Sequence, residues 1–200
     1  MPLQRLYLKQ IFFLITATVL LSACHSRKLT QRPTADAVND MLAKQRGPYV
    51  MVKPDKEIAD KYATIMQVKR NDIQNGRLYT FIEEWLGVPY RFGGMDKEGV
   101  DCSGLVSLLQ LQVYDQPVPR TTAQQANAVK RKYEDELKEG DLVFFDFDGR
   151  QFSHVGVYLQ NGYIVHASTR KGVIVVRLHD RGIYQYFSRA GSVTDHSTTN

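Results

Sequence analysis

The stretch SHVGVYLQNGYIVHAS, Ser153 to Ser168, limits the possible folds more than any other part of the chain. Apolar residues alternate with others on both sides of Gln160-Asn161-Gly162, the pattern of two strands joined by a tight turn. Two registers are open. A two-residue loop, Asn161-Gly162, pairs Gln160 with Tyr163 and sends His154 and His166 to opposite faces. A three-residue loop, Gln160-Asn161-Gly162, sets Leu159 opposite Tyr163 as a type I turn with Gly162 left-handed. One face then reads Val155, Val157, Leu159, Tyr163, Val165 and Ala167, apolar throughout. The other carries His154, Gly156, Tyr158, Ile164, His166 and Ser168. Core burial fixes strand register strongly, so the second register is expected. It makes the two histidines diagonal neighbours, roughly 5–8 Å apart at Cβ, so that one can face a nucleophile while the other orients it.

A nucleophile is present. The chain has two cysteines, Cys24 and Cys102. Cys24 ends an export-type start: Arg5 and Lys9 give a positive front, Ile11 to Leu21 an apolar core too short to span a bilayer, and Ser22-Ala23 a small-residue exit. Leu21-Ser22-Ala23-Cys24 resembles a bacterial lipobox, which implies cleavage before Cys24 and lipid on that residue; a plain secretory signal is the alternative. Cys102 is then a solitary thiol in an oxidising compartment. A lone cysteine is often a buried small hydrophobe, but VDCSGLV leads into GLVSLLQLQV, a helix apolar almost all round and so expected to be buried. Asp101 has the chemistry of an N-cap and puts Cys102 in the first turn. There the helix dipole and unpaired N–H groups are expected to stabilise a thiolate and an oxyanion, with Gly104 leaving space above the sulfur.

The rest of the chain organises around these two features. Residues 1–23 form the signal, 24–54 a polar tether with Pro33, Pro48 and Pro54, 55–193 the domain, and 194–200 a polar tail. Ile58, Tyr62, Ile65 and Met66 mark the apolar face of one helix. Leu78, Phe81, Ile82, Trp85 and Leu86 mark that of another, which stops at Gly87 before Pro89, with Trp85 in the core. Thr121 or Thr122 caps a short helix running to Val129. Strands are expected over Asp141–Phe147, His154–Leu159, Tyr163–Ser168 and Val173–Leu178. Helices first and an antiparallel sheet afterwards give an α+β domain. The net charge of +5 includes Arg5 and Lys9 of the signal, too mild a balance for a nucleic-acid partner.

The segments PYRFGG, DCSGLV, PRTTAQQ, GDLVFF, SHVGVYL and YIVHAS, in this order and spacing from about Arg77 to Val193, resemble the NlpC-type family of cell-wall cysteine peptidases. The resemblance implies a papain-like, circularly rearranged domain that cleaves peptidoglycan peptides without metal or cofactor. It implies Cys102 as nucleophile, His154 as general base and His166 as the orienting residue. Tyr90 would aid the oxyanion, and Asp101 and Ser103 would help read the substrate's amine terminus. Gly93-Gly94 read as a turn beside the site. Arg120 either lines the substrate groove or holds a loop carbonyl.

The expected function is a lipid-anchored, periplasm-facing peptidoglycan endopeptidase. By analogy it sits at the outer membrane, because His25 follows Cys24 where inner-membrane retention uses an aspartate. The domain is expected to be monomeric and to act on stem peptides, most favourably at D-alanyl–diaminopimelyl cross-links. Cleavage of the γ-D-glutamyl–diamino acid bond, acyl transfer from the same thioester, and a non-catalytic cell-wall-binding lipoprotein are the alternatives.

Overall fold

The structure is a computed structural model that describes residues 52–194. The expected signal, the lipidation site Cys24, His25, nearly all of the tether and His196 lie outside the described residues. Helices α1 (Lys56–Met66) and α2 (Gly76–Trp85) come first, followed by a short ribbon of β1 (Met95–Asp96) and β2 (Gly99–Val100). Helices α3 (Cys102–Tyr114) and α4 (Thr122–Ala128) lead into the strands β3 (Val129–Arg131), β4 (Leu142–Phe145), β5 (His154–Tyr158), β6 (Tyr163–Ser168) and β7 (Gly172–Arg177). A one-turn helix α5 (Arg181–Tyr184) and strand β8 (Phe187–Val193) complete the order. The six-stranded sheet is antiparallel with strand order β3-β8-β4-β5-β6-β7. This is an α+β domain, as expected.

Helix α2 buries Leu78, Phe81, Ile82 and Trp85, the face marked by the sequence. Helix α1 buries Ala59, Tyr62, Ala63 and Met66, leaving Ile58 and Ile65 only partly covered. Its core face is thus rotated from the expected one, because two alanines let the helix lie close to α2 where isoleucines would hold it off. Helix α3 exposes only Gln112, with Tyr114 half-buried, and packs against α2, β5 and β6.

The larger core lies between the helices and one face of the sheet, which presents Val155, Val157, Leu159, Tyr163, Val165 and Ala167. A smaller core of Val143, Phe145, Ile164, Leu178, Ile183 and Ala190 covers the other face. Strand β8, which inserts between β3 and β4, has no counterpart among the expected strands. Its run FSRAGSV alternates with small and polar residues and carries little apolar signal. Together with the residues around α5 it helps to bury the histidine face, where His154 and His166 are 6% and 8% exposed.

The hairpin has the expected register, with Val157 opposite Val165 and Tyr158 opposite Ile164. Leu159 N–H donates to the Tyr163 carbonyl at 2.8 Å. The turn itself differs. Both Asn161 (φ 50°) and Gly162 (φ 73°) are left-handed, and Tyr163 N–H donates to the Gln160 carbonyl at 3.0 Å. That is the mirror-image turn that Asn-Gly favours, and Gln160 enters as a bulge that shifts the register by one. The Gln160 amide docks on the Asp72 carbonyl at 2.9 Å and on Glu139 Oε2 at 3.0 Å, and the Asn161 amide on the Met66 carbonyl at 2.7 Å. These contacts hold the bulge in place. A Cβ on Gly162 would meet nothing within 4 Å, so only its φ resists substitution. Gly162→Val is therefore expected to lower the unfolding free energy by about 1–2 kcal/mol. Urea unfolding checks this, and an unchanged midpoint would show that the turn tolerates a side chain.

Candidate active site

Asp101 is extended (φ −91°, ψ 172°), and its carboxylate accepts the Gly104 N–H at 2.6 Å, the N-cap that starts α3. Cys102 is therefore the first helical residue, as the sequence indicated. The carboxylate does more than cap. It also accepts the Gly93 N–H at 2.8 Å and a two-pronged pair of bonds from the Arg120 guanidinium at 2.9 and 2.8 Å. Arg120 also bonds Ser103 Oγ at 2.9 Å and the Gly94 carbonyl at 3.4 Å. One buried carboxylate thus joins the PYRFGG, DCSGLV and PRTTAQQ segments.

This network bears on three expectations. Asp101 and Ser103 are both buried, and their polar side-chain atoms bond Arg120 and the helix start, so neither presents itself to a substrate amine. Arg120 takes the structural alternative, and does so through an ion pair as well as a loop carbonyl. Gly104 leaves no open space above the sulfur. A Cβ there would stand 2.5 Å from the Gly94 carbonyl oxygen, so this glycine lets the Gly93-Gly94 turn press onto the helix.

His154 opens β5 opposite Phe145, and His166 sits in β6 opposite Ile174. His154 Nε2 and His166 Nδ1 are 2.8 Å apart, with the ring planes at 90°. Both rings are buried, and Phe147 packs edge-on against His154 at 5.3 Å. Burial holds the His154 imidazole well below its usual 6.5, and a charge on His166 would lower it further. Burial does the same to His166. Both rings are neutral at neutral pH. Since Nε2 of His154 is engaged, Nδ1 is its remaining nitrogen.

The imidazoles share a face, but it is not the face on which α3 lies, contrary to expectation. Cys102 belongs to the larger core with Val155. Its sulfur meets the strand at the Val155 backbone N–H, one residue along from His154. His154 thus adjoins, along β5, the residue whose N–H meets the thiol, while its ring lies on the other face of the sheet. The thiol is also not pre-ionised. Burial pushes it up, and the Asp101 charge adds to that, against bonds from Thr122 and from the Val155 and Ser103 N–H groups. The expected gain from the helix start is offset because Cys102 is only 6% exposed.

Tyr90 is half-buried near the sulfur. Burial first, then negative charge on Cys102 and Asp101, pushes its hydroxyl up to about 12, so it remains a donor. Tyr90, His154 and His166 line a cleft of about 680 Å³ whose rim carries Arg150, Arg170 and Lys171 together with Asp148 and Asp180. The rim residues and Thr122, whose Oγ1 is 3.7 Å from Cys102 Sγ, escaped the sequence reading of the site. The doubled threonine of PRTTAQQ was legible only as a helix cap. His179 pairs with Glu134 at 2.6 Å instead of joining the site.

The sequence matches the model of the NlpC/P60 family over residues 87–192. The probable endopeptidase NlpC of Escherichia coli (strain K12) is 47% identical over 94 residues, 46% of this chain and 61% of that protein, so the matched stretch spans less than two thirds of that relative. The murein DD-endopeptidase MepS/murein LD-carboxypeptidase of the same strain is 32% identical over 168 residues, 83% of this chain and 82% of its own length. Among solved structures, an NlpC/P60 family protein from Bacillus cereus ATCC 10987 has a TM-score of 0.54 at 25% identity, over 58% of this chain and 39% of that one.

Proposed function

The chain belongs to the NlpC/P60 family, and from that premise we propose that it is a peptidoglycan endopeptidase with Cys102 as nucleophile. The observation that carries the reading is the buried histidine pair, 2.8 Å between nitrogens, whose first member is next in chain to Val155 of the core that holds Cys102. Two buried neutral imidazoles beside a thiol have no evident structural use, but they suit proton transfer. When His154 donates from Nε2 to His166, its Nδ1 is left unprotonated, as a general base requires.

Because thiol and imidazole both rest neutral, attack and proton transfer occur together. The Cys102 sulfur bonds the scissile carbonyl carbon as its proton passes to His154 Nδ1. Tyr90 and the N–H groups at the start of α3 hold the oxyanion. His154 then protonates the leaving amine, and a thioester remains. Water gives a proton to the same nitrogen as it adds to the thioester, and collapse returns carboxylate and thiol.

The cleft supports the substrate class. Arg150, Arg170 and Lys171 line it together with Asp148 and Asp180, a mixed charge that suits a peptide bearing carboxylates and a side-chain amine. Murein stem peptides have that character. The bond we favour is the D-alanyl–diaminopimelyl cross-link, in line with the name of the MepS relative. A γ-D-glutamyl specificity that reads an amine through Asp101 and Ser103 has less support, because Arg120 and the helix cap occupy those side chains. Purified murein incubated with the enzyme should lose turbidity. A thiol alkylator should stop the loss and a metal chelator should leave it unchanged; the opposite pair of results would replace the thiol mechanism.

The same proposal places the enzyme as a monomer at the periplasmic face of the outer membrane, tethered by lipid on Cys24. It rests on the lipobox-like LSAC at Leu21–Cys24. Cys24→Ser is expected to leave the membrane fraction; a cleaved variant that stays tightly bound would refute the anchor.

A further inference from the structure

Two threonines stand side by side in PRTTAQQ, and the fold uses them differently. Thr121 caps α4, its Oγ1 accepting the Gln124 N–H at 3.4 Å and donating to Gln124 Oε1 at 2.8 Å. The helix therefore has no need of the Thr122 hydroxyl, which lies instead 3.7 Å from the Cys102 sulfur, within hydrogen-bonding range for sulfur.

Its position is fixed from both sides. Upstream, Arg120 is held by Asp101 and Ser103. Downstream, the fully buried Gln125 amide donates to the Ser103 carbonyl at 3.0 Å, Ser107 Oγ at 3.2 Å and the Pro119 carbonyl at 2.8 Å. Arg120 and Gln125 bind the 119–125 segment to the first turns of α3, and Thr122 sits between them. A backbone clamped twice to the cysteine helix keeps the Thr122 Cβ beside the sulfur.

We infer that Thr122 is a positioning residue of the site, a two-way hydrogen-bond partner that holds the Cys102 sulfur in both of its protonation states. A hydroxyl both donates and accepts. The resting thiol donates to Oγ1, and as the proton leaves, the hydroxyl turns and donates to the thiolate. The sulfur thus keeps a partner throughout, which matters where burial opposes its charge. The inference rests on Cys102 being the nucleophile.

The test is the pH dependence of iodoacetamide alkylation at Cys102 in the whole chain, read by peptide mass so that Cys24 does not contribute. In wild type the midpoint should lie above that of an ordinary thiol. Thr122→Val, similar in shape but without the hydroxyl, should raise it further, by about half to one pH unit. Thr122→Ser should bring it back, and Thr122→Ala should behave as Val does, which removes any effect of branched bulk. An unchanged midpoint in both Thr122→Val and Thr122→Ala overturns the inference, as does a Ser variant shifted as far as Val. Alkylation needs no turnover, so these results stand apart from the assignment of Cys102, which fails only if Cys102→Ala still hydrolyses murein.

Discussion

Cys102→Ala should reduce murein hydrolysis by a thousandfold or more, on the order of what removal of a covalent nucleophile costs. The reasoning is that the thioester of the proposed mechanism forms on the Cys102 sulfur. Thr122 is the nearest hydroxyl named at the sulfur, and its backbone is clamped through Arg120 and Gln125. The fold should survive. Cys102 is the first residue of α3, a position where alanine is acceptable, and the Asp101 cap does not depend on it. The loss of one buried sulfur should cost about 1 kcal/mol. Urea unfolding and a murein turbidity assay on the same preparation separate the two effects. A variant that folds and still hydrolyses at more than a few per cent of the wild-type rate would remove Cys102 from the mechanism.

The second large effect concerns stability. Arg120→Ala should destabilise the domain by about 3–5 kcal/mol, the usual result of stripping one partner from a buried ion pair. The Asp101 side chain is only 8% exposed, and Arg120 supplies two of its bonds at 2.9 and 2.8 Å. Without the guanidinium the carboxylate keeps the Gly93 and Gly104 N–H groups but has no counter-charge. Arg120→Lys should recover only part of the loss, since a single ammonium cannot reproduce the fork that spans both carboxylate oxygens and Ser103. Activity should fall along with stability, because the network also ties down the loop between Tyr90 and the nucleophile. Denaturation showing a loss below about 1 kcal/mol would mean that solvent takes over the role of the arginine.

What the sequence made legible follows from how local each signal is. The hairpin register could be read because one residue of slip would have left Val155 and Val157 in the core but taken Val165 and Ala167 out of it. The nucleophile helix could be read because a cap and an unbroken apolar run sit within a few residues of each other. The bulge at Gln160 could not, because Asn-Gly announces only the two-residue turn, and the docking of Gln160 on Asp72 and Glu139 is between residues far apart in the chain. Nor could the engagement of Asp101, which depends on Arg120, nineteen positions away. Strand β8 was hidden because FSRAGSV gains its place from neighbours on both sides rather than from its own apolar content. Without it, the second core and the burial of the histidines were invisible, and so was the suppression of imidazole charge that leads to a neutral resting pair.

The most direct measurement is mass analysis of the muropeptides that a muramidase releases from purified, cross-linked murein after treatment with the wild-type protein, with Cys102→Ala as the blank. The account predicts that cross-linked dimers disappear and monomeric muropeptides accumulate, each pair of products heavier by one water than the dimer it came from, and that the blank leaves the dimers intact. Dimers that persist under wild-type enzyme, or that vanish equally in the blank, would contradict it.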